Sequence, residues 1–231
     1  MNSRPLFQLS PRLFLCASLV PEGASMADIG TDHAYLPVWL AKSGKVRRAI
    51  ACDLREGPIQ RAKEHVRRYA VESRVETRLS DGLQAVRPDE VDTVVIAGMG
   101  GEVIAGILEQ APWLKEGKTL ILQAMTSAEE LRLWLQKERY RVIQEKAVRS
   151  EGRIYTVMLV QYENEPFQYG PFYPYIGLLE RDRSPEAQEY IARKIRHLQN
   201  RVKGLQARQK CQEAATLLHV IEGLRRLTGE I

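Results

Sequence analysis

Between Met26 and about Tyr162 the chain alternates short β-branched runs with longer segments of helical period, a pattern that few folds accommodate. The runs fall at residues 25–29, 48–52, 75–79, 93–97, 119–123, 141–146 and 154–161, bounded for the most part by Gly, Asp or Ser. Helical patterns fill the gaps at about 34–42, 56–69, 102–110 and 127–137. Strands separated by helices of this length predict βαβ units and a mostly parallel sheet. Residues 94–97 and 120–122 are apolar throughout rather than alternating, as expected of central strands covered on both faces. Only about 147–153 separates the last two runs, too little for a crossover helix, so these should pair antiparallel.

A parallel sheet closed by an antiparallel hairpin is the methyltransferase variation on the Rossmann plan. The expected fold class is therefore α/β, a Rossmann-like class I methyltransferase sheet. After Gln161 the character changes. Residues 163–166 read as a linker, and 167–175 are rich in Pro, Gly and aromatics. Ser184 and Pro185 then suit the cap and first turn of a long helix. Ile191, Ile195, Leu198, Val202 and Leu205 form a heptad seam; Ala214, Leu217, Ile221 and Leu224 form a second seam out of phase with it. The phase break and its polar residues predict a turn near 208–212 and two antiparallel helices, a short coiled coil. One long dimerising helix is the alternative. The expected organisation is a catalytic domain over 1–165 and a helical domain over 166–231.

Residues 181–210 hold nine bases and three acids, a local excess larger than the net +5 of the whole chain. A charged helix face is commonly just solvated, and a structural hairpin or oligomer contact is the plain reading. Basicity this concentrated on a projecting element is better explained by phosphate contacts, with Arg193, Lys194, Arg196, Arg201 and Lys203 as candidates. Three dispersed cysteines exclude a disulfide framework or a zinc site and point to a reducing, cytoplasmic setting. The apolar patch at 13–20 is too short to span a membrane, so no membrane and no metal partner is expected. The expected state is a monomer, with a dimer through the coiled coil as the alternative.

The chemistry-bearing segments lie at successive strand ends. The first strand runs into Asp28-Ile29-Gly30-Thr31-Asp32-His33-Ala34-Tyr35. An acid, a Gly turn and a helix have the form of a cofactor loop, without the G-x-G-x-x-G of nicotinamide enzymes. Acids such as Asp28 and Asp32 suit the sulfonium and ammonium groups of S-adenosylmethionine and would repel a dinucleotide phosphate. Asp32 has a plainer reading as a helix cap. Asp53, followed by Leu54, ends the second strand and lies 23 residues beyond Gly30, the right distance to accept from ribose hydroxyls. Asp81-Gly82 ends the third strand and could take an adenine amino group, though Asp-Gly is also turn chemistry. The fourth strand ends at Gly98-Met99-Gly100-Gly101, which imitates a nucleotide fingerprint but has Val103 where the third Gly would fall. Its small residues leave room for a planar base. Of four histidines only His33 lies among these segments.

Together these segments resemble the bacterial tRNA methyltransferases that methylate N1 of adenine 22. The resemblance rests on residues 9–13, DIGTDHAYLP at 28–37, the Asp53 strand and residues 56–58. It continues through SDGL at 80–83, IAGMGG at 96–101, Leu122-Gln123-Ala124-Met125, Leu131 to Leu135, and Glu151 with Tyr155. Ala124 departs from the Pro expected there, which bears on the loop shape. The resemblance implies an S-adenosylmethionine-dependent enzyme with a C-terminal coiled coil, acting on tRNA. It implies cofactor contacts from Asp28, Gly30, Asp53, Leu54, Asp81, Gly82, Gly98 and Met99. Asp32, His33 and Tyr35 are the expected catalytic residues, and Arg12, Gly100 and Gly101 join the basic helix as substrate contacts. The competing readings are a methyltransferase of the same fold acting on another RNA position or a small molecule, and a non-catalytic RNA-binding protein.

Overall fold

The computed structural model describes residues 5–229. Its elements run α1 (Pro11–Leu19), β1 (Ala24–Ile29), α2 (Tyr35–Lys42), β2 (Val46–Asp53), α3 (Glu56–Arg68), β3 (Val75–Leu79) and β4 (Thr93–Gly100). They continue with α4 (Gly101–Glu109), β5 (Thr119–Thr126), α5 (Ala128–Lys137), β6 (Tyr140–Ser150), β7 (Arg153–Tyr162), α6 (Tyr173–Ile176), α7 (Pro185–Ala207) and α8 (Cys211–Thr228). The seven strands form one sheet in the order β3-β2-β1-β4-β5-β7-β6. The first five run parallel; β7 pairs antiparallel with both β5 and β6. This is the expected Rossmann-like methyltransferase sheet.

Strand pleating divides the core. Alternate residues of one strand point to opposite faces. Met26, Ala49, Ala51, Val95 and Ile121 pack toward α1, α2 and α3. Ala27, Ile50, Val94, Ile96, Leu120 and Leu122 pack toward α4 and α5. Val94, Val95, Ile96, Leu120, Ile121 and Leu122 are fully buried, as the unbroken apolar runs require.

One element is added and two local expectations are corrected. The apolar stretch after Ser10 is a helix, α1, with Ser10 as its N-cap and Pro11 in its first turn. The Gly-rich segment is no free loop: β4 continues to Gly100 through two register shifts against β5, and α4 begins at once. A Cβ on Gly101 would collide with the Ser127 carbonyl, so α4 meets the start of α5 too closely for a side chain. The connection expected over about 147–153 is instead strand, and only Glu151 and Gly152 turn the chain. Both have positive φ, 52° and 71°, the sense that matches the twist of a two-residue hairpin.

The helical pair has its own apolar cluster. Ile191, Ile195, Leu198 and Val202 of α7 meet Ala214, Leu217, Val220, Ile221 and Leu224 of α8. The break between them, at 208–210, falls where the heptad phase slips. The Phe172 ring lies against Gly223, where a Cβ would strike it.

Candidate active site

The five parallel strands end on one side of the sheet, and the tips of β1 to β4 carry the predicted residues. At the tip of β1 the backbone is strained. Gly30, Asp32 and Ala34 all have positive φ, at 73°, 51° and 55°. Such a run of left-handed residues persists only where surroundings hold it. Here the Gly30 and Thr31 amides donate to the Cys52 carbonyl at 2.8 and 2.9 Å, and the Asp32 amide donates to Asp53 Oδ2 at 3.3 Å. Asp53 Oδ1 also accepts from the Arg55 amide at 3.0 Å. The β2 carboxylate therefore braces the β1 loop.

Asp28 is 6% exposed and accepts from the Thr31 hydroxyl at 2.6 Å. Burial pushes its carboxyl up to about 6; the Thr31 hydrogen bond and the Arg12 charge oppose that rise, and Asp53 adds to it. Asp32 is exposed, with Arg61 Nη2 at 3.2 Å and His33 Nε2 at 3.6 Å. His33 stacks on Tyr35 at 5.3 Å between ring centroids. Phe7, His65 and Tyr69 extend this into an aromatic cluster, and His65 Nδ1 lies 3.0 Å from the His33 carbonyl. His65 is thus part of the packing beside the site.

Asp81 is exposed at the tip of β3, on a turn held by Ser80, whose hydroxyl donates to the Gly82 carbonyl at 2.9 Å. Gly82 (φ 53°) packs on Ile107. Leu54 is 64% exposed beside Asp53. From β4, Met99 lays its methyl group over Gly30, where any Cβ would collide with it. Gly98 has φ 88° and donates its amide to Gln123 Oε1 at 3.1 Å. The same oxygen accepts from Arg12 Nη1 at 2.7 Å. Arg12 is therefore carried by α1 into the site.

A pocket opens between the β1 loop and residues 7–13, lined by Phe7, Arg12, Asp28, Asp32, Tyr35 and Glu151 among others. It brings the β1 acids together with Arg12 and Tyr35, but its lining includes neither Asp53, which braces the β1 loop, nor Asp81. Sequence reasoning missed Thr31, Arg61, Gln123 and Phe7. Gln123 was visible only within the strand motif that carried the resemblance, and nothing local marked Phe7 or Arg61.

The basic helix is less free than its composition implied. Lys194 and Arg201 both pair with Glu129 of α5, at 2.8 and 3.0 Å. Arg193 pairs with Glu189 at 2.7 Å. Arg196 and Lys203 are exposed and form no ion pair among the described residues. No described helix is long and apolar enough to cross a membrane. Among the described residues no group of His, Cys, Asp or Glu is arranged to hold a metal ion.

Residues 9–158 match a family model described as a methyltransferase domain. The chain is 42% identical over 155 residues to the tRNA (adenine(22)-N(1))-methyltransferase of Bacillus subtilis (strain 168). That alignment covers 67% of this chain and 65% of the relative, slightly under two thirds of the relative's length. Among solved structures, the B. subtilis m1A22 tRNA methyltransferase TrmK superposes with a TM-score of 0.85 at 32% identity, covering 95% of this chain and 99% of that one. M. capricolum TrmK in complex with S-adenosyl-homocysteine gives 0.81 at 25% identity, covering 96% and 99%. The likeness runs along nearly the whole chain: it belongs to the methyltransferase-domain family and, within it, to the tRNA (adenine(22)-N(1))-methyltransferases.

Proposed function

We propose that this chain transfers the methyl group of S-adenosylmethionine to N1 of adenine 22 in tRNA. The observation that carries this reading is the likeness, from end to end, to an m1A22 tRNA methyltransferase. The residues at the strand tips fit the cofactor. Asp28 and Asp53 are buried carboxylates at neighbouring tips, which suit a cationic ligand with ribose hydroxyls.

In this proposal Asp53 accepts from the ribose hydroxyls, with Leu54 beside it. Asp81 and Gly82 meet the adenine end, and Asp28, Gly30, Gly98 and Met99 enclose the methionine end. When bound, the cofactor supplies a methyl group on a sulfonium, an electrophile for a ring nitrogen whose lone pair is free in the neutral base. A strong base is then unnecessary. Positioning can contribute roughly 7–11 kcal/mol, against about 3–5 kcal/mol for a general base. Asp32, His33 and Tyr35 hold the base and offset the charge that develops on it, and Gly100 and Gly101 give it room. N1 lies on the Watson–Crick edge, so the adenine must be unpaired or flipped out. The test is incubation with unmodified tRNA and methyl-labelled S-adenosylmethionine, followed by nucleoside analysis. Label in N1-methyladenosine is expected; cofactor binding with no such label would move the acceptor elsewhere.

The chain acts as a cytoplasmic monomer in this reading, with residues 1–165 catalytic and 166–231 gripping a distant part of the tRNA. Arg12, inside the pocket, faces the RNA that enters it. Arg196 and Lys203 are the free cations of α7, whereas Lys194, Arg201 and Arg193 must share their charge with Glu129 or Glu189. Replacing Arg196 and Lys203 with Ala is expected to weaken tRNA binding and to flatten its log–log salt dependence by roughly one to two units. Replacing Lys194 and Arg201 should change the slope less. Equal slopes in both double variants and the parent would return α7 to a structural role.

A further inference from the structure

The β6–β7 ribbon does more than close the sheet. Its antiparallel ladder runs from Tyr140↔Tyr162 to Ser150↔Arg153, yet β5 pairs only with its first part, through Met158–Gln161. The remainder projects past the β5 pairing and carries its turn to the lip of the catalytic pocket, where Glu151 joins the lining. The other carboxylates of that lining are engaged, Asp28 by Thr31 and Asp32 by Arg61 and His33. Glu151 is exposed and has no hydrogen-bond or ion-pair partner among the described residues, although Arg149 and Arg153 flank it in sequence. Of these flanks, Arg149 is held from outside the sheet. Glu189 of α7 binds Arg149 on one side and Arg193 on the other, and Arg193 Nη2 reaches the Gly152 carbonyl at 3.5 Å. The basic helix and the catalytic pocket thus meet at one two-residue turn.

Resting on the reading above, we propose that Glu151 is a substrate-facing carboxylate that selects adenine, and that Glu189 is the positioning residue that aims it. Next to N1, adenine carries an exocyclic amine, a donor that a carboxylate accepts; guanine presents a carbonyl there and would be repelled. As the N1 lone pair forms the new N–C bond, the electron pair of the breaking C–S bond stays on sulfur and the ring becomes cationic. The amine keeps both hydrogens and becomes a stronger donor, so the contact to Glu151 tightens as charge develops, with no proton transferred. A hydrogen bond to a charged group that strengthens in this way is worth roughly 10- to 100-fold in rate.

The test is single-turnover methylation of unmodified tRNA, with cofactor affinity measured in parallel by calorimetry. Glu151→Asn suits the left-handed turn and withdraws the carboxylate; it is expected to lower the rate 10- to 100-fold with cofactor Kd within twofold of the parent. Glu151→Gln keeps the reach, loses the charge and should fall between. Glu189→Gln should lower the rate in the same direction but have little further effect in the Glu151→Asn background, because it acts through that residue. Parent label in N1-methyladenosine, read from the same samples, tests the underlying reading separately. With that label present, a Glu151→Asn rate within twofold of the parent, a loss confined to cofactor Kd, or losses from Glu151→Asn and Glu189→Gln that multiply would each overturn the proposal.

Discussion

Asp28→Asn is expected to make the free protein more stable at pH 7 while removing most of its affinity for cofactor. The carboxyl of Asp28 is 6% exposed, and burial raises it from 3.8 to about 6. A carboxyl whose folded value lies above its unfolded value favours folding fully below the unfolded value and loses that advantage as pH rises through the folded one. Across the window from about 4 to 6 the unfolded chain gives up this proton more readily than the folded chain does. Above that window the ionised group costs about 3 kcal/mol, from a displacement of roughly two units at 1.36 kcal/mol each. The neutral amide has the same shape, can still accept from the Thr31 hydroxyl, and avoids the cost. For a chain of this length that corresponds to roughly 6–12 °C in Tm. Thermal melts at pH 8 and pH 4 check the sign: the variant should gain at pH 8 and gain little at pH 4. An equal gain at both would show that the charge is not the cause. Under the proposed function a cationic ligand needs the ionised form, so cofactor affinity of the parent should decline as pH falls below about 6. Stability sacrificed at a single buried acid is what a binding site for a cation demands.

The sheet was legible because its signals are local and repeated. Each of the seven runs carries β-branched residues, most have a Gly, Asp or Ser at a boundary, and the unbroken apolar runs at 94–97 and 120–122 marked the centre. The placement of the strand-tip acids was legible for a related reason: in a parallel sheet the strand ends fall on one side, so Asp28, Asp53 and Asp81 lie along the same edge whatever the loops do. What depended on distant partners was hidden. Arg12 was marked as a substrate contact only through the resemblance, and nothing near it in sequence announces its Gln123 acceptor, 111 positions away. Glu129 neutralises two bases of α7 from a helix that begins 57 residues earlier, so counting bases within 181–210 overstated the free charge. The length of the ribbon was hidden because Glu151 is a poor residue for a left-handed turn, so no local signal marks the two-residue tip to which both strands pair.

The largest loss of stability is expected from Arg132→Met. Arg132 lies on α5 with no exposed side-chain surface, and its Nη2 donates to Glu145 Oε1 at 2.6 Å, Glu145 being equally buried. The same nitrogen reaches Tyr190 of α7 at 3.2 Å and the Thr156 hydroxyl at 3.3 Å. Nη1 donates to the Pro174 and Tyr175 carbonyls at 3.0 and 3.3 Å, and Glu145 Oε2 accepts from the Leu178 amide at 3.1 Å. Gly177, with φ 59°, passes so close that a Cβ would strike both charged groups. One ion pair therefore ties α5, β6, β7, the connector and α7. Removing the cation alone strands a buried carboxylate, at a cost of about 3–5 kcal/mol. Against a total of about 5–15 kcal/mol, that should lower Tm by roughly 10 °C or more. The net worth of the pair is smaller, because two charges have been desolvated and Arg132 Nε is buried without a partner. Arg132→Met combined with Glu145→Leu should therefore recover most of the loss. What the apolar pair cannot restore is direction, since methionine has no donors for Pro174, Tyr175 or Tyr190. The double variant should thus melt near the parent and bind cofactor normally, yet methylate tRNA with a reduced kcat/KM. Should the double variant methylate as well as the parent, shape alone sets the angle of α7 and the ion pair is dispensable.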